Sequence, residues 1–390
     1  MKSFTIKEAE EIAYKYYNLK TKATVLNGYD EQNFLLTNSD GIKLVLKVAN
    51  DSHNIHFLDA QVKIIDHLSE SELSRNFQHI ILNTEGESLT KFIVDDINFY
   101  IRILTYLEGT FWVVHSNKNE KLYYNLGSFL GKMDRLLENF SHPAMHRHYT
   151  WDISTAADAN RKLNCISDHE IRRIVGYFLM QFETEVLPEI SSLHHIYAHN
   201  DANDYNVLIE DNEIKGLIDF GDMVYTARIN NVAVACTYAM LNTKNPLEVA
   251  EKVVQGYNEI CKLSEKELGF LYHLIAGRLC ISLTQSAFNA SKDSNNEHHF
   301  ISEKPALELL YKLIEISPIK AENIFRKTCG YKETINTDDY TELLNDRKEN
   351  LGPNLSISYK KKLKIVKGAL QYLYDDKGKT YVDCVNNPSH

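Results

Sequence analysis

The chain has 390 residues, 44% of them apolar and 25% charged, enough to bury a core in two lobes without disulfide or metal staples. A formal net charge of -10 and a pI near 5.9 exclude a protein that grips nucleic acid through a basic surface. Six scattered cysteines with no CxxC pair exclude a disulfide framework and a zinc site. With neither a signal-peptide core nor an apolar run of membrane length in view, no membrane association and a cytoplasmic setting are expected.

Thr5 and Glu8 read as a capping box ahead of Ile6, Ala9, Ile12, Ala13 and Tyr16, whose spacing predicts a helix over residues 5–18. The period then changes. ATVLNGYDEQNFLLTNSDGIKLVLKVAN predicts a three-strand meander broken at Asn27-Gly28 and at the NSDG run from Asn38 to Gly41. A helix is expected from about Ile55 to Leu68, and strands around His79 to Thr84 and Phe99 to Tyr106. That makes one helix among about five antiparallel strands. From Leu122 onward the pattern is helical, interrupted by a hairpin within HNDANDYNVLIEDNEIKGLIDFGD, His199 to Asp222. The fold class is therefore α+β: a sheet-rich N-lobe over residues 1–106, a helical C-lobe over 107–335, and a polar linker with a strand-like tail over 336–390. A cleft between two such lobes is the usual place for a ligand.

The chemistry concentrates in the interrupting segment. Asn206 stands just before the apolar strand VLI and Asp219 just after the apolar strand KGLI, with EDNE as the turn. An antiparallel hairpin sets the start of its first strand beside the end of its second, so the two residues face one point and form a partial cage for Mg2+. Asp201, one short loop earlier, projects toward the same point, where a carboxylate can take the proton of a hydroxyl attacking phosphorus. His199 is placed to brace the loop. A chance HxDxxxxN string with Asp219 as a helix cap is the competing account, and the hairpin and the DFG that follow argue against it.

These motifs resemble the aminoglycoside phosphotransferase and choline kinase superfamily, most closely its hydroxylysine kinase-like members, over roughly residues 3–335. The resemblance implies a two-lobed protein-kinase-like fold, with Asp201 as the catalytic carboxylate and Asn206 and Asp219 on magnesium. Asn200 and Ala202 depart from the family's glycine and leucine. Lys47, on the third predicted strand, is by the same resemblance the lysine on the nucleotide phosphates, against the alternative of a solvated strand lysine. The position matching its usual glutamate partner is Gln61, which can hydrogen-bond Lys47 but not neutralise it. The backbone of the loop between the two strands ahead of Lys47, with Gly28, Tyr29, Asp30, Gln32 and Asn33 as its candidates, would lie over the phosphates of ATP or GTP. Tyr106 and Leu107 would offer backbone groups to the base, unless they are a plain edge strand and turn.

Acceptor residues are read from charge and shape. Trp151, Asp152, Asp204 and Asp222 are candidates for an amine, because an aromatic face and carboxylates suit a cation. Asp152 reads equally well as a helix N-cap. Arg135, Arg228 and Arg278 include candidates for a carboxylate clamp, with structural ion pairs as the commoner alternative. The tail from about Asn350 resembles the opening of class III aminotransferases, with YLYDDKGKTYVD as its hairpin, and is expected to be a truncated piece that binds no pyridoxal phosphate. The family implies a fused or partner aminotransferase-like phospho-lyase, which favours an amine-bearing hydroxyl acceptor. The expectation is a kinase for the hydroxyl of a small amine or amino acid, hydroxylysine first. The alternative is a catalytically weak nucleotide-binding regulatory domain.

Overall fold

The computed structural model describes residues 2–28, 31–50, 52–292, 303–334, 340–351 and 363–384. Helix α1 (Ile6–Tyr17) begins on the expected capping box, since the Thr5 hydroxyl accepts the Glu8 N–H and the Glu8 carboxylate accepts the Thr5 N–H. Its face of Ala9, Ile12, Ala13 and Tyr17 packs on the sheet against Phe34, Leu36 and Leu46. Strands β1 (Thr21–Leu26), β2 (Gln32–Asn38) and β3 (Lys43–Asn50) form the meander. Asn38 Oδ1 accepts the N–H groups of Asp40 and Ile42, and Gly41 takes a φ of 80° in the second turn.

Helix α2 (Ile55–Ser69) is followed by β4 (Ile80–Ile81), β5 (Thr90–Val94) and β6 (Ile97–Thr105). The β5–β6 hairpin was not expected from sequence. Its turn is Asp95-Asp96, both left-handed at φ 50° and 62°, a geometry for which Asn-Gly or Asp-Gly is the readable signal. The resulting sheet has six strands rather than about five, ordered β1-β2-β3-β6-β4 with β5 also on β6. On β3 and β6, Lys47 lies directly opposite Arg102, and Asn33 of β2 lies opposite Lys47.

After β7 (Thr110–Phe111) the chain is mainly helical: α3 (Glu120–Leu137), a run of 3-10 turns over Ile153–Cys165, and α4 (His169–Gln181). Strands β8 (His195–Ala198), β9 (Val207–Glu210), β10 (Glu213–Leu217) and β11 (Val224–Ala227) precede α5 (Arg228–Met240), α6 (Pro246–Ile260), α7 (Glu265–Lys292), α8 (Glu303–Ile314) and α9 (Pro318–Thr328). Helices α3 and α6 approach so closely that a Cβ at Gly127 or Gly256 would collide with the partner's backbone. Within the stretch read as linker, Thr341–Asn350 forms helix α10, and the tail forms β12 (Ile365–Ala369), β13 (Tyr372–Asp375) and β14 (Thr380–Val382). This small sheet docks on the end of α8: the Tyr374 hydroxyl donates to the Ile314 carbonyl, and the Thr380 hydroxyl donates to the Glu315 carbonyl at 2.9 Å. No helix among the described residues is long and apolar enough to cross a membrane.

One buried carboxylate ties three helices. Asp134 of α3 accepts from Asn231 of α5 at 2.9 and 3.1 Å and from the Tyr257 hydroxyl of α6 at 2.7 Å. Burial pushes its pKa up to about 7. An unfolded aspartate releases its proton near pH 4, so between about pH 4 and 7 only the folded chain holds a proton here, and this group makes stability fall as pH rises through that window. Asp134→Asn should flatten that fall. Urea unfolding at about pH 5 and about pH 7.5 checks it, and an unchanged difference between the two conditions contradicts it.

Candidate active site

Strand β8 leads into the loop His199–Asn206. His199 is fully buried against Phe220, its Nδ1 accepting the Asp201 N–H and its Nε2 donating to the Ile218 carbonyl, both at 3.2 Å. Burial lowers its pKa to about 4, so the imidazole is neutral and both nitrogens are committed to bracing. Asn200 has a φ of 63°. The left-handed conformation explains how asparagine replaces the family's glycine, since asparagine is among the few residues that adopt it readily. Its N–H donates to Asn231 Oδ1 at 3.2 Å.

Asp201 is held on both oxygens. Arg278, 2% exposed, donates to Oδ1 at 2.8 Å, while Asn203 and Asn206 donate to Oδ2 at 2.8 and 2.7 Å. Burial and the nearby Asp222 carboxylate raise the Asp201 pKa well above the usual aspartate range, with Arg278 pulling against them. The Asn206 amide also donates to the Asp201 carbonyl at 2.9 Å. The Asn206 carbonyl accepts the Ile218 N–H at 3.0 Å, which sets Asn206 across from the residue preceding Asp219. Asp219 has a left-handed backbone with φ 63° and a carboxylate half open to the cleft.

Around Lys47 the structure departs from the expectation at Gln61. Its Oε1 accepts from Arg102 at 2.6 Å, not from Lys47. Lys47 instead lies 3.1 Å from Asp219 and 3.4 Å from Glu31, and Glu31 takes both arms of the Arg102 guanidinium at 2.7 and 2.9 Å. Burial opposes the charge on Lys47, but Asp219 and Glu31 outweigh it and its pKa is raised. Burial likewise opposes the charge on Glu31, yet Arg102 and Lys47 bring its pKa down to about 2. Neither Glu31 nor Arg102 was singled out from sequence. The readable signal was an arginine inside the apolar run of β6.

Around this group the loop is only partly as expected. Tyr29 and Asp30 lie outside the described residues. A Cβ on Gly28 would collide with the Glu31 carbonyl and the Asn33 side chain, so the turn requires glycine. Asn33 lines the cleft. The Gln32 side chain points away from it: the alternation of β2 turns it to the other face, where it accepts the Phe4 N–H at 2.6 Å and donates to the Lys2 carbonyl at 2.8 Å. Tyr106 and Leu107 follow β6 at the crossing into the helical part. The Tyr106 N–H donates to the Lys43 carbonyl at 3.2 Å, and Leu107 packs at Gly216 of β10.

The cleft encloses about 440 Å³. Away from Lys47 its walls include Phe57, Arg147, Tyr149, Trp151, Asp222 and Tyr238. The Tyr149 hydroxyl donates to Asp222. The Trp151 carbonyl accepts from Arg278 at 2.7 Å. Asp152 takes its other role: it caps the 3-10 run through the Ser154 N–H and accepts from the Thr226 hydroxyl at 2.8 Å, buried behind the wall. Asp204 lies outside the cleft lining, with Lys118 as the charge acting on its carboxylate. Arg228 pairs with Glu267 at 2.8 Å and Arg135 donates to the Ile260 carbonyl, so both are structural and Arg278 alone of the three reaches the cleft.

Residues 23–268 match the phosphotransferase enzyme family, APH. The chain belongs to this family. It is 26% identical over 361 residues to hydroxylysine kinase of Bos taurus, covering 85% of this chain and 95% of that protein. Hydroxylysine kinase of Danio rerio is 26% identical over 333 residues, covering 81% and 93%. Among solved structures, an amicoumacin kinase in complex with AMP-PNP, Ca2+ and Ami superposes with a TM-score of 0.62 at 13% identity, covering 79% of this chain and 94% of that one. A microcompartment-associated aminopropanol kinase gives 0.56 at 14% identity, covering 85% and 100%. The chain is thus a phosphotransferase acting on hydroxyl groups, with a protein-kinase-like fold.

The left-handed backbone at Asn200 yields a stability test of this phosphotransferase. Asn200→Ala should cost about 1–2 kcal/mol. Asn200→Gly should cost less, because glycine relieves the backbone and the side chain's contacts to the Trp151 and Asp222 carbonyls are long, at 3.3 and 3.4 Å. Equilibrium denaturation of the two variants, showing alanine no worse than glycine, would contradict the backbone argument.

Proposed function

We propose that this phosphotransferase moves the terminal phosphoryl group of ATP or GTP onto the hydroxyl of a small amine-bearing acceptor, a hydroxylysine-like amino acid first. The observation that carries the reading is that Asp201 lines one cleft together with Lys47 and Asp219 and with Tyr149, Trp151 and Asp222. The match to hydroxylysine kinases over nearly their whole length supports the acceptor class. Residues up to about 106 would then serve the nucleotide, and the helical part would seat the acceptor.

Asp201 would receive the acceptor's hydroxyl proton as the acceptor oxygen bonds to phosphorus and the bond from phosphorus to the leaving nucleoside diphosphate breaks. The raised pKa of Asp201 makes it a stronger base than an ordinary aspartate. Lys47 would grip the phosphates. Trp151, Tyr149 and Asp222 would face the acceptor's ammonium.

Asp219 and Asn206 suit a hard divalent cation such as Mg2+. The Asn206 Nδ2 is committed to Asp201, which leaves Oδ1 as its ligand atom. No group of three His, Cys, Asp or Glu side chains among the described residues forms a cage, as suits an ion that takes its remaining ligands from phosphates and water. Bound there, the ion would neutralise charge on the phosphoryl oxygens.

The alternative of a weak regulatory domain drew on a missing Lys47 carboxylate and an altered loop. Glu31 supplies the first, and Asn200 fits the second.

Asp201→Asn should remove turnover, by a factor of about 100 or more, while an ATP analogue still binds. Full activity in that variant, read with a panel of hydroxylysine, ethanolamine and aminopropanol, sinks the assignment. A second test uses pH. Because Asp222 raises the Asp201 pKa, the acid limb of kcat/KM should lie above the usual aspartate range and move to lower pH in Asp222→Asn. A limb that stays in place in this variant contradicts the role given to Asp201.

A further inference from the structure

Lys47 and Arg102 sit opposite each other on adjacent antiparallel strands, and both are buried, Arg102 to 1% exposure. Like charges facing each other across strands repel, and two buried cations need a shared counter-charge. Glu31 is that counter-charge. One of its oxygens takes Arg102 Nη1 at 2.7 Å, and the other takes Nη2 at 2.9 Å and lies 3.4 Å from Lys47 Nζ. Gln61 of α2, the position where the family resemblance implies the lysine's glutamate partner, accepts from the same Nη2 at 2.6 Å.

Resting on the nucleotide reading above, we propose that Glu31 is the positioning residue for Lys47, set by Arg102 and Gln61. Three features support this. Glu31 immediately precedes β2, the strand paired with the one that bears Lys47, so the carboxylate that aims Lys47 is anchored on the sheet beside it. Its grip is two-pronged, and a forked guanidinium–carboxylate pair fixes direction as well as distance. The other carboxylate on Lys47 is Asp219, which the reading reserves for a divalent cation. Glu31 is then the partner that stays with Lys47 when Asp219 turns to its own ligand. The helix α2 glutamine no longer touches the lysine and acts one step back, by holding Arg102.

The sign of the effect separates positioning from charge alone. Glu31 is an anion near the bound phosphates, so removing its charge without any change in Lys47 would tighten nucleotide binding. Positioning predicts the reverse. Calorimetric titration of the full chain with a non-hydrolysable ATP analogue, with and without Mg2+, should show Kd about tenfold weaker in Glu31→Gln. In turnover, KM for nucleotide should rise by a similar factor while KM for the acceptor stays put. Arg102→Lys keeps every charge and loses only the fork, and should give a smaller loss of the same kind; it carries the test if Glu31→Gln does not fold. A Kd in Glu31→Gln equal to or tighter than that of the unaltered chain overturns the inference, as does a lower melting temperature with unchanged affinity. An unaltered chain that binds no nucleotide overturns both this inference and the reading beneath it, whereas normal nucleotide binding with an unexpected acceptor touches only the acceptor.

Discussion

The pairing of β9 with β10, closed by the Ile218 N–H on the Asn206 carbonyl, sets the frame on which the cleft is built. It holds the amide and the carboxylate that would share a cation on neighbouring strand ends, and the Asn206 side chain then reaches back to fix Asp201. His199 adds a second strap, from the Asp201 N–H to the Ile218 carbonyl. A backbone hairpin is a good foundation for this. Its ladder bonds are local, and the apolar side chains of Val207, Leu208, Ile209 and Leu217 anchor it in the core. Buried hydrogen bonds to charged groups are individually worth about 1.5–3 kcal/mol, and the loop's geometry is held by several of them together.

That frame is also continuous with the helical core. Asp134 holds Asn231, and Asn231 accepts the backbone of Asn200, so a carboxylate shared by α3, α5 and α6 reaches the loop bearing Asp201 through two side chains. A buried polar chain of this kind is stabilising when its members are partnered and costly when one is lost. It links a helix as far along the chain as α6 to the loop that bears Asp201.

Much of the layout was legible in the sequence because the signals were local. The capping box at Thr5, the NSDG turn and the apolar strands on either side of EDNE each lie within a few residues of the structure they specify. The β5–β6 hairpin escaped because its turn uses two aspartates in left-handed conformations, where glycine is the readable marker. Contacts between distant segments were harder. Glu31 and Arg102 are 71 positions apart and Asp201 and Arg278 are 77 apart, and no spacing rule links them. Gln61 was placed by analogy at the family's glutamate position, and there it accepts from Arg102 instead of the lysine. Asp152 had two readings of equal weight, and burial behind the 3-10 run decided for the cap.

Arg147 joins the two halves of the molecule in a different way from Lys47. Its guanidinium stacks 3.6 Å from the Phe57 ring centroid on α2 and 3.9 Å from that of Tyr149, while donating to the Gly221 and Met223 carbonyls. A guanidinium over an aromatic face gains from the ring's quadrupole while its N–H groups still donate in its own plane. One side chain thereby ties α2 to Tyr149 and to the turn that follows Asp219, so the placement of the 221–223 backbone depends on a residue that is neither on the hairpin nor on the sheet.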